Sequence, residues 1–371
     1  MNSIFFFLFF IIIILWIMFL WHYFIYIFLV RFFNITNNNI KIYIITAFFI
    51  LWISFILSSI ISNYFENIYT SYYYFLSWIW LWFLVNLNIL ILFLYILGTF
   101  LKKYEIYQHK LYFVVPMLFL WIIFSLYWVY NAMSPQIKNV EINIKNLPSS
   151  WKDKKIVMIS DVHLGHVYDD SFLEKTTERI NKLNPDIIFI VWDLFDWMHW
   201  SLEKYIQPIN DLKPKDWIYY VTWNHETYLW VNETYRILSK TNIKILKDEA
   251  VNIDWVQLIW LSYPERGRFK DFKETLGKIN INKDVPKILL YHSPTHLNEA
   301  ADEWIDLQLS WHTHRWQMFP FNFITSIVYA GHDYWLSNIW DFQIYISNWL
   351  WTWWPAIRTL SRSEIILISL K

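Results

Sequence analysis

Seven residues of this chain are metal-ligand types set among turn-forming neighbours: Asp161 and His163, Asp193, Asn224, His292, and His312 with His314. Carboxylate and amide oxygens mixed with imidazole nitrogens suit Mn, Fe or Zn better than Ca, and seven such donors are enough for two divalent ions. The chain has Cys 0, which excludes a thiolate site and any disulfide and leaves the redox compartment open. Taken singly, each motif is weak. An isolated Asp-x-His or His-x-His is more often surface loop chemistry, Asn224 reads as a turn former and Glu226 as a helix start. Taken in order, each follows a short apolar run. On extended backbone alternate side chains share a face, so Asp161 with His163, and His312 with His314, are expected to converge in this way.

Three of these stretches carry tryptophan where a sharp turn calls for glycine. They are Val191-Trp192-Asp193-Leu194-Phe195-Asp196, Thr222-Trp223-Asn224-His225-Glu226 and Ser310-Trp311-His312-Thr313-His314. With glycine at Trp192, Trp223 and Trp311 they read GDLFD, GNHE and GHTH. Together with Asp161-Val162-His163, the ordered set resembles the calcineurin-like metallophosphoesterases, in a membrane-anchored bacterial branch. The resemblance runs from Lys155 to Lys371 and extends weakly upstream to the segment Tyr127 to Ala132, which looks like that branch's membrane exit. It implies a four-layer α-β-β-α sandwich with a binuclear metal centre. Asp161, His163 and His314 would hold one ion, Asn224, His292 and His312 the other, with Asp193 bridging. A hydroxide between the ions would attack phosphorus. His225 matches the family's catalytic histidine and is expected to act as general acid or to steady the phosphate, oriented by Asp196. Arg315 would contact a substrate phosphate; a solvated loop cation is the duller reading.

Composition bears on the tryptophans independently. Gly 5 and Trp 26 in 371 residues together make about 8% of the chain, near the ordinary glycine share of about 7%. We read the excess as UGA codons that mean glycine but are written as tryptophan, in keeping with a composition rich in Ile, Asn, Lys, Phe and Tyr. Trp217, Trp255, Trp260, Trp304, Trp316, Trp335, Trp340, Trp349, Trp351 and Trp354 also sit at turn-like positions, whereas Trp151 and Trp353 look genuine by the same resemblance. Glycine permits positive φ and close backbone approach at such turns. A Trp-rich membrane protein is the competing account, since indoles gather at bilayer interfaces. It does not explain tryptophans beside polar ligands in the charged half.

The elements that must position these residues divide sharply. Apolar runs at 4–30, 42–61, 72–100 and 111–130 are each long enough for a membrane helix. The first is too long for a signal peptide and lacks a basic leader. Arg31 and Lys41 flank the first loop and Lys102, Lys103 and Lys110 the third, while the middle loop has Glu66 and no Lys or Arg. The positive-inside rule then places both termini, and the catalytic part, outside the cytoplasm. The chain is thus expected as a four-helix anchor over 1–132, a linker over 133–154 and a catalytic domain over 155–371. Short β-rich runs at 155–160, 187–191, 218–222, 287–291, 307–310, 342–347 and 365–370 alternate with polar helical stretches, giving an α/β layered domain with ligands at strand ends.

Zero formal net charge gives no reason to expect nucleic acid. No protein partner is inferred. The expected partners are membrane lipid and a phosphate-ester substrate, lipid-linked or from the cell envelope. The rival reading is a non-catalytic membrane binding or sensing protein on a decayed phosphoesterase fold, which follows if the tryptophans are literal. A transporter or channel would need charged groups within the spans, and almost none are there. His22, in the first run, is read as a packing or interface residue.

Overall fold

The structure, a computed structural model, describes residues 2–65, 67–101, 110–191, 193–196, 201–221, 231–262, 270–313, 317–319, 322–350, 352 and 355–371. Asn224, His225, His314 and Arg315 therefore lie outside the described residues, as do Trp192, Trp223, Trp316, Trp351, Trp353 and Trp354. The chain divides into two compact units, one formed mainly by residues 1–129 and the other mainly by 130–371.

The first unit is helical. Helices α1 (Asn2–Phe32), α2 (Asn38–Tyr64), α3 (Ile68–Leu101) and α4 (Lys110–Met133) are long and apolar enough to cross a bilayer. Asn37 starts α2 by accepting from the Asn39 and Ile40 amides, at 2.8 and 3.4 Å. Met18 and Ile25 of α1 pack with Leu84 and Ile91 of α3. Ser54, Ser58 and Ser62 form the buried stripe of α2, where small side chains allow close helix approach. His22 is buried. Its Nδ1 meets the Met18 carbonyl at 2.8 Å, so that nitrogen carries the proton and Nε2 accepts from Trp80 Nε1 at 3.1 Å. Both ring nitrogens are thus spent on helix packing.

The second unit holds two six-stranded sheets. In the first the order is β1 (Gln136–Ile142), β12 (Glu364–Leu370), β2 (Lys155–Ser160), β3 (Ile187–Val191), β4 (Trp217–Val221) and β5 (Ile243–Ile245). In the second it is β10 (Trp335–Ile339), β11 (Phe342–Ile346), β9 (Leu307–Ser310), β8 (Lys287–Leu290), β7 (Val256–Trp260) and β6 (Glu249–Ile253). Strands β2 to β5 run parallel, and so do β7, β8, β9 and β11. The sheets face each other: Trp260 of β7 packs against Phe189 of β3 and Tyr219 of β4, at ring distances of 6.4 and 5.3 Å. On the far face of the second sheet, Phe272, Leu276 and Ala300 from the helices Phe272–Gly277 and Leu297–Asp302 close a core with Leu289 and Ile344. The helix Asp170–Asn181 buries Phe172, Leu173 and Ile180. This is the expected α/β layering behind four apolar helices.

Two expectations need correction. Residues 133–154 do not form a linker, because β1 pairs in parallel register with β12 from Gln136↔Glu364 to Ile142↔Leu370. Only Val140 and Ile142 of β1 are buried, too few apolar positions to announce a strand. Trp217 and Trp260 do not sit at turns; they begin β4 and end β7.

Five other tryptophans have left-handed backbone, four in turns or loops and Trp335 at the start of β10. Trp255, Trp304, Trp335, Trp340 and Trp349 have φ of 65°, 60°, 75°, 57° and 69°. The left-handed region is natural for glycine and strained for a bulky side chain. Asp254 and Trp255 are the two residues between paired Ile253 and Val256, and both have positive φ, the pattern of a type I′ hairpin turn whose usual sequence is Asp-Gly. Trp340 holds the first turn position between paired Ile339 and Phe342, where a type II′ turn takes glycine.

Candidate metal centre

Each described ligand candidate follows a strand of the parallel runs. Asp161 comes directly after β2, Asp193 two residues after β3, His292 two after β8 and His312 two after β9. The ends of parallel strands are where α/β sheets place ligands, since loops there leave the sheet together. The segment Ser347–Leu350 joins the two sheets at this end: the Ser347 amide donates to the Ser310 carbonyl at 2.9 Å and the Leu350 amide to the Ser160 carbonyl at 3.2 Å. Trp349, at φ 69°, turns that segment.

Asp161, His163 and Asp193 form one buried group whose ligand atoms all lie within 4.8 Å of one another. Backbone bonds fix the approach. The His163 amide donates to the Asp193 carbonyl and the Leu164 amide to the Leu194 carbonyl, both at 2.8 Å, and the Asp196 amide returns to the Leu164 carbonyl at 2.9 Å. The two loops thus continue the β2–β3 pairing as a narrow parallel bridge, Leu164↔Phe195. Gly165 makes room for Asp196, since a Cβ there would stand 3.1 Å from the Asp196 Cβ.

The convergence does not come from strand alternation, as expected. Asp161, His163, Asp193 and His312 have φ of 49°, 44°, 45° and 59°, so left-handed turns aim these side chains rather than extended backbone. Strained backbone is commonly concentrated at functional sites, where the surrounding structure holds it. Here the main-chain bonds between the two loops do so.

From the second sheet, His292 Nε2 and His312 Nδ1 stand 2.7 Å apart, with ring centroids at 4.5 Å. The Trp311 amide donates to the His292 carbonyl at 3.0 Å, and its ring meets the His292 ring edge to face at 5.9 Å. Thr313 Oγ1 donates to the Asp333 carbonyl at 2.6 Å.

The donor set fits a divalent cation. Asp161 and Asp193 are 0% and 3% exposed, and carboxylates kept from water need a compensating positive charge. Imidazole beside carboxylate is the chemistry of Mn, Fe and Zn sites. Among the named candidates, the structure brings together Asp161, His163, Asp193 and Asp196 on one side, and His292 with His312 on the other.

Sequence reading missed one charged group near these ligands. Arg358 is fully buried and donates from Nη1 to Ser361 Oγ at 3.0 Å. Burial draws its pKa down to about 10, against the opposing pull of Tyr168, Glu364 and Asp161. Burial likewise pushes Tyr168 up to about 12, while its hydroxyl shares a 2.8 Å hydrogen bond with Thr352. Nothing in the run Ala356 to Glu364 distinguishes Arg358 from Arg362, so only the fold could single it out. His166 is also buried, and desolvation followed by the charge of Lys204 lowers its pKa to about 3, which keeps it neutral.

No family model matches the chain as written. Individual relatives do. An uncharacterised metallophosphoesterase of Campylobacter jejuni is 33% identical over 262 residues, covering 67% of this chain and 68% of that protein. An uncharacterised metallophosphoesterase of Helicobacter pylori is 30% identical over 241 residues, 64% of each chain. A zebrafish (Danio rerio) transmembrane protein with metallophosphoesterase domain is 30% identical over 271 residues, 67% of this chain and 60% of its own length. The match thus spans somewhat under two thirds of the last two proteins. A UDP-2,3-diacylglucosamine pyrophosphatase of Chlamydia trachomatis matches at 38% over 70 residues, 18% of this chain. With the Campylobacter protein alike across two thirds of both chains, and a membrane-spanning relative among the others, the chain belongs to the calcineurin-like metallophosphoesterases, hydrolases of phosphoric ester bonds.

Proposed function

We propose that this chain is a membrane-anchored phosphoesterase working with two divalent ions, Mn, Fe or Zn, outside the cytoplasm. The observation that carries this reading is the buried Asp161, His163 and Asp193 group. Asp161, His163 and His314 would hold one ion and Asn224, His292 and His312 the other, with Asp193 shared. Such cations, when bound, supply Lewis acidity, lowering the pKa of water and offsetting phosphate charge. The protein's own groups then divide the remaining work. The two buried carboxylates would balance the cationic charge. His225 donates a proton to the leaving oxygen, and Asp196 orients it. Arg315 binds a phosphate oxygen. The substrate is a phosphomonoester, phosphodiester or pyrophosphate carried by a lipid or cell-envelope molecule. Anchoring by four spans supports a substrate at the membrane, and the loop charges support the outward orientation.

The full chain in detergent, loaded with Mn, should hydrolyse p-nitrophenyl phosphate or its diester, stop on chelation and recover on adding Mn back. His225→Ala should keep its metal and lose turnover; unchanged turnover would remove the proposed acid. A wild-type chain that binds no divalent metal would sink the whole reading.

We also propose that glycine is the residue at the turn tryptophans, Trp192, Trp223 and Trp311 included. Five indoles at positive φ, two of them at hairpin positions that favour glycine, support it beside the composition. Tandem mass spectrometry of the native tryptic peptide from Ile288 to Arg315 decides, since it contains Trp304 and Trp311. Glycine masses at both would establish the recoding. Tryptophan masses would favour the non-catalytic membrane sensor, in keeping with the buried Trp311 ring against His292.

A further inference from the structure

The helix Asn322–Val328 is built inside out. An ordinary surface helix buries its apolar stripe and shows its polar one. Here Phe323, Ile324, Ile327 and Val328 are 58%, 43%, 80% and 67% exposed, and Phe319 just before them is 54% exposed. The polar residues point inward instead. Thr325 is 1% exposed, and its Oγ1 donates to the Asn322 carbonyl at 2.8 Å and lies 3.2 Å from Asp333 Oδ2. Ser326 Oγ reaches Asp333 Oδ1 at 3.5 Å. These bonds fix which face looks out, so the apolar exposure is not a helix left free to roll.

The exposed side chains make one patch. The Phe319 and Phe323 rings meet at 5.9 Å, and no Asp, Glu, Lys or Arg occurs in the sequence from Trp316 to Gly331. Among the described residues of this unit, the other exposed large hydrophobics are tryptophans at turns or a strand start, Tyr130 near the end of α4, Ile137 and Leu360. The patch is also joined to the metal centre. Tyr329, which follows the helix, sets its ring edge to face on His312 at 6.5 Å, and Asp333 anchors both the helix and Thr313.

An uncharged apolar helix face of this kind needs an apolar partner. The chain itself supplies one within reach, because only Ser134 and Pro135 separate α4 from β1. A two-residue tether keeps β1 close to the end of the membrane helix, so a bilayer is the apolar partner the chain itself offers. We propose that the Phe323, Ile324, Ile327 and Val328 face inserts into the lipid interface and seats the His312 loop at headgroup level. The substrate class this selects is a phosphate ester whose alcohol carries an acyl or prenyl chain, presented from the bilayer; that part rests on the hydrolase reading above.

The absence of cysteine makes the test clean. The full chain carrying Ile327→Cys, labelled with an environment-sensitive fluorophore, is placed in nanodiscs of phosphatidylcholine with plain or brominated acyl chains. Labels at Asp284→Cys, before β8 and thus at the opposite end of that strand from His292, and at Ile50→Cys in α2 serve as references. Insertion to ~5–10 Å predicts about twofold quenching at residue 327, strong quenching at residue 50 and none at residue 284. A residue 327 label as insensitive as that at residue 284, with residue 50 quenched, overturns the proposal. A blue-shifted 327 label untouched by brominated lipid does so too, pointing to a protein partner instead. Neither readout uses turnover, so failure of the hydrolase reading would leave this result standing, and the reverse.

Discussion

The two sheets contribute to the candidate metal centre in different ways. The first brings Asp161, His163 and Asp193 together through backbone bonds between adjoining loops, and its two buried carboxylates require a cation. The second brings His292 and His312 into a 2.7 Å contact in which one imidazole donates to the other, so neither ring needs to carry a charge. A carboxylate cluster without its cation is an electrostatic liability; a histidine pair is not. If the proposed ions bind, the first half is therefore the one expected to depend more on metal than the second.

The largest effect should come from breaking the first half. Asp193→Asn is expected to lower kcat/KM by about a thousandfold, roughly 4 kcal/mol of transition-state stabilisation, with bound metal falling in parallel by elemental analysis. His292→Ala should cost less, about 10–100-fold in activity or metal affinity. Equal losses for the two variants would erase the distinction between the halves. Gly165→Ala tests the packing between the adjoining loops: its new methyl presses on Asp196 and should cost about 1–2 kcal/mol, read in the thermal midpoint. An unchanged midpoint would mean that the loops yield more easily than their hydrogen bonds suggest. The smallest effect is a gain. Expressed as written, Trp304→Gly should stabilise the second sheet's surroundings by about 1 kcal/mol, because φ of 60° is relieved. A loss there would argue that the indole contributes packing the turn needs.

How far the sequence was legible follows from the same turns. The spans were plain from apolar length alone. Strands β2 and β3 fall on the runs 155–160 and 187–191, because buried parallel strands are nearly continuous apolar runs, and β9 falls on 307–310 although Gln308 and Ser310 interrupt it. Of the hairpins β6–β7 and β10–β11, only β11 was legible, on the run 342–347. Their turns read Asp254-Trp255 and Trp340-Asp341, and a tryptophan hides the Asp-Gly or Gly-x pattern that marks a hairpin. The ligand residues were legible by type and order, whereas the left-handed conformations that aim them were not, since Asp161 and His163 look extended on paper. Arg358 was invisible for a different reason: burial of a cation depends on distant chain, here Tyr168 and Glu364.

The pairing of β1 with β12 sets a timetable. As the chain is synthesised, β1 follows two residues after α4, yet its place in the sheet is completed by a strand made after the other described strands of both sheets. Until then β1 has no neighbour in its native sheet and β2 lacks one of its two, leaving open backbone edges of the kind that invite wrong pairing. The contacts that close this sheet are the most distant in sequence, and distant contacts form slowly. An enzyme moored early at the membrane thus finishes folding late, beside the bilayer that already holds it.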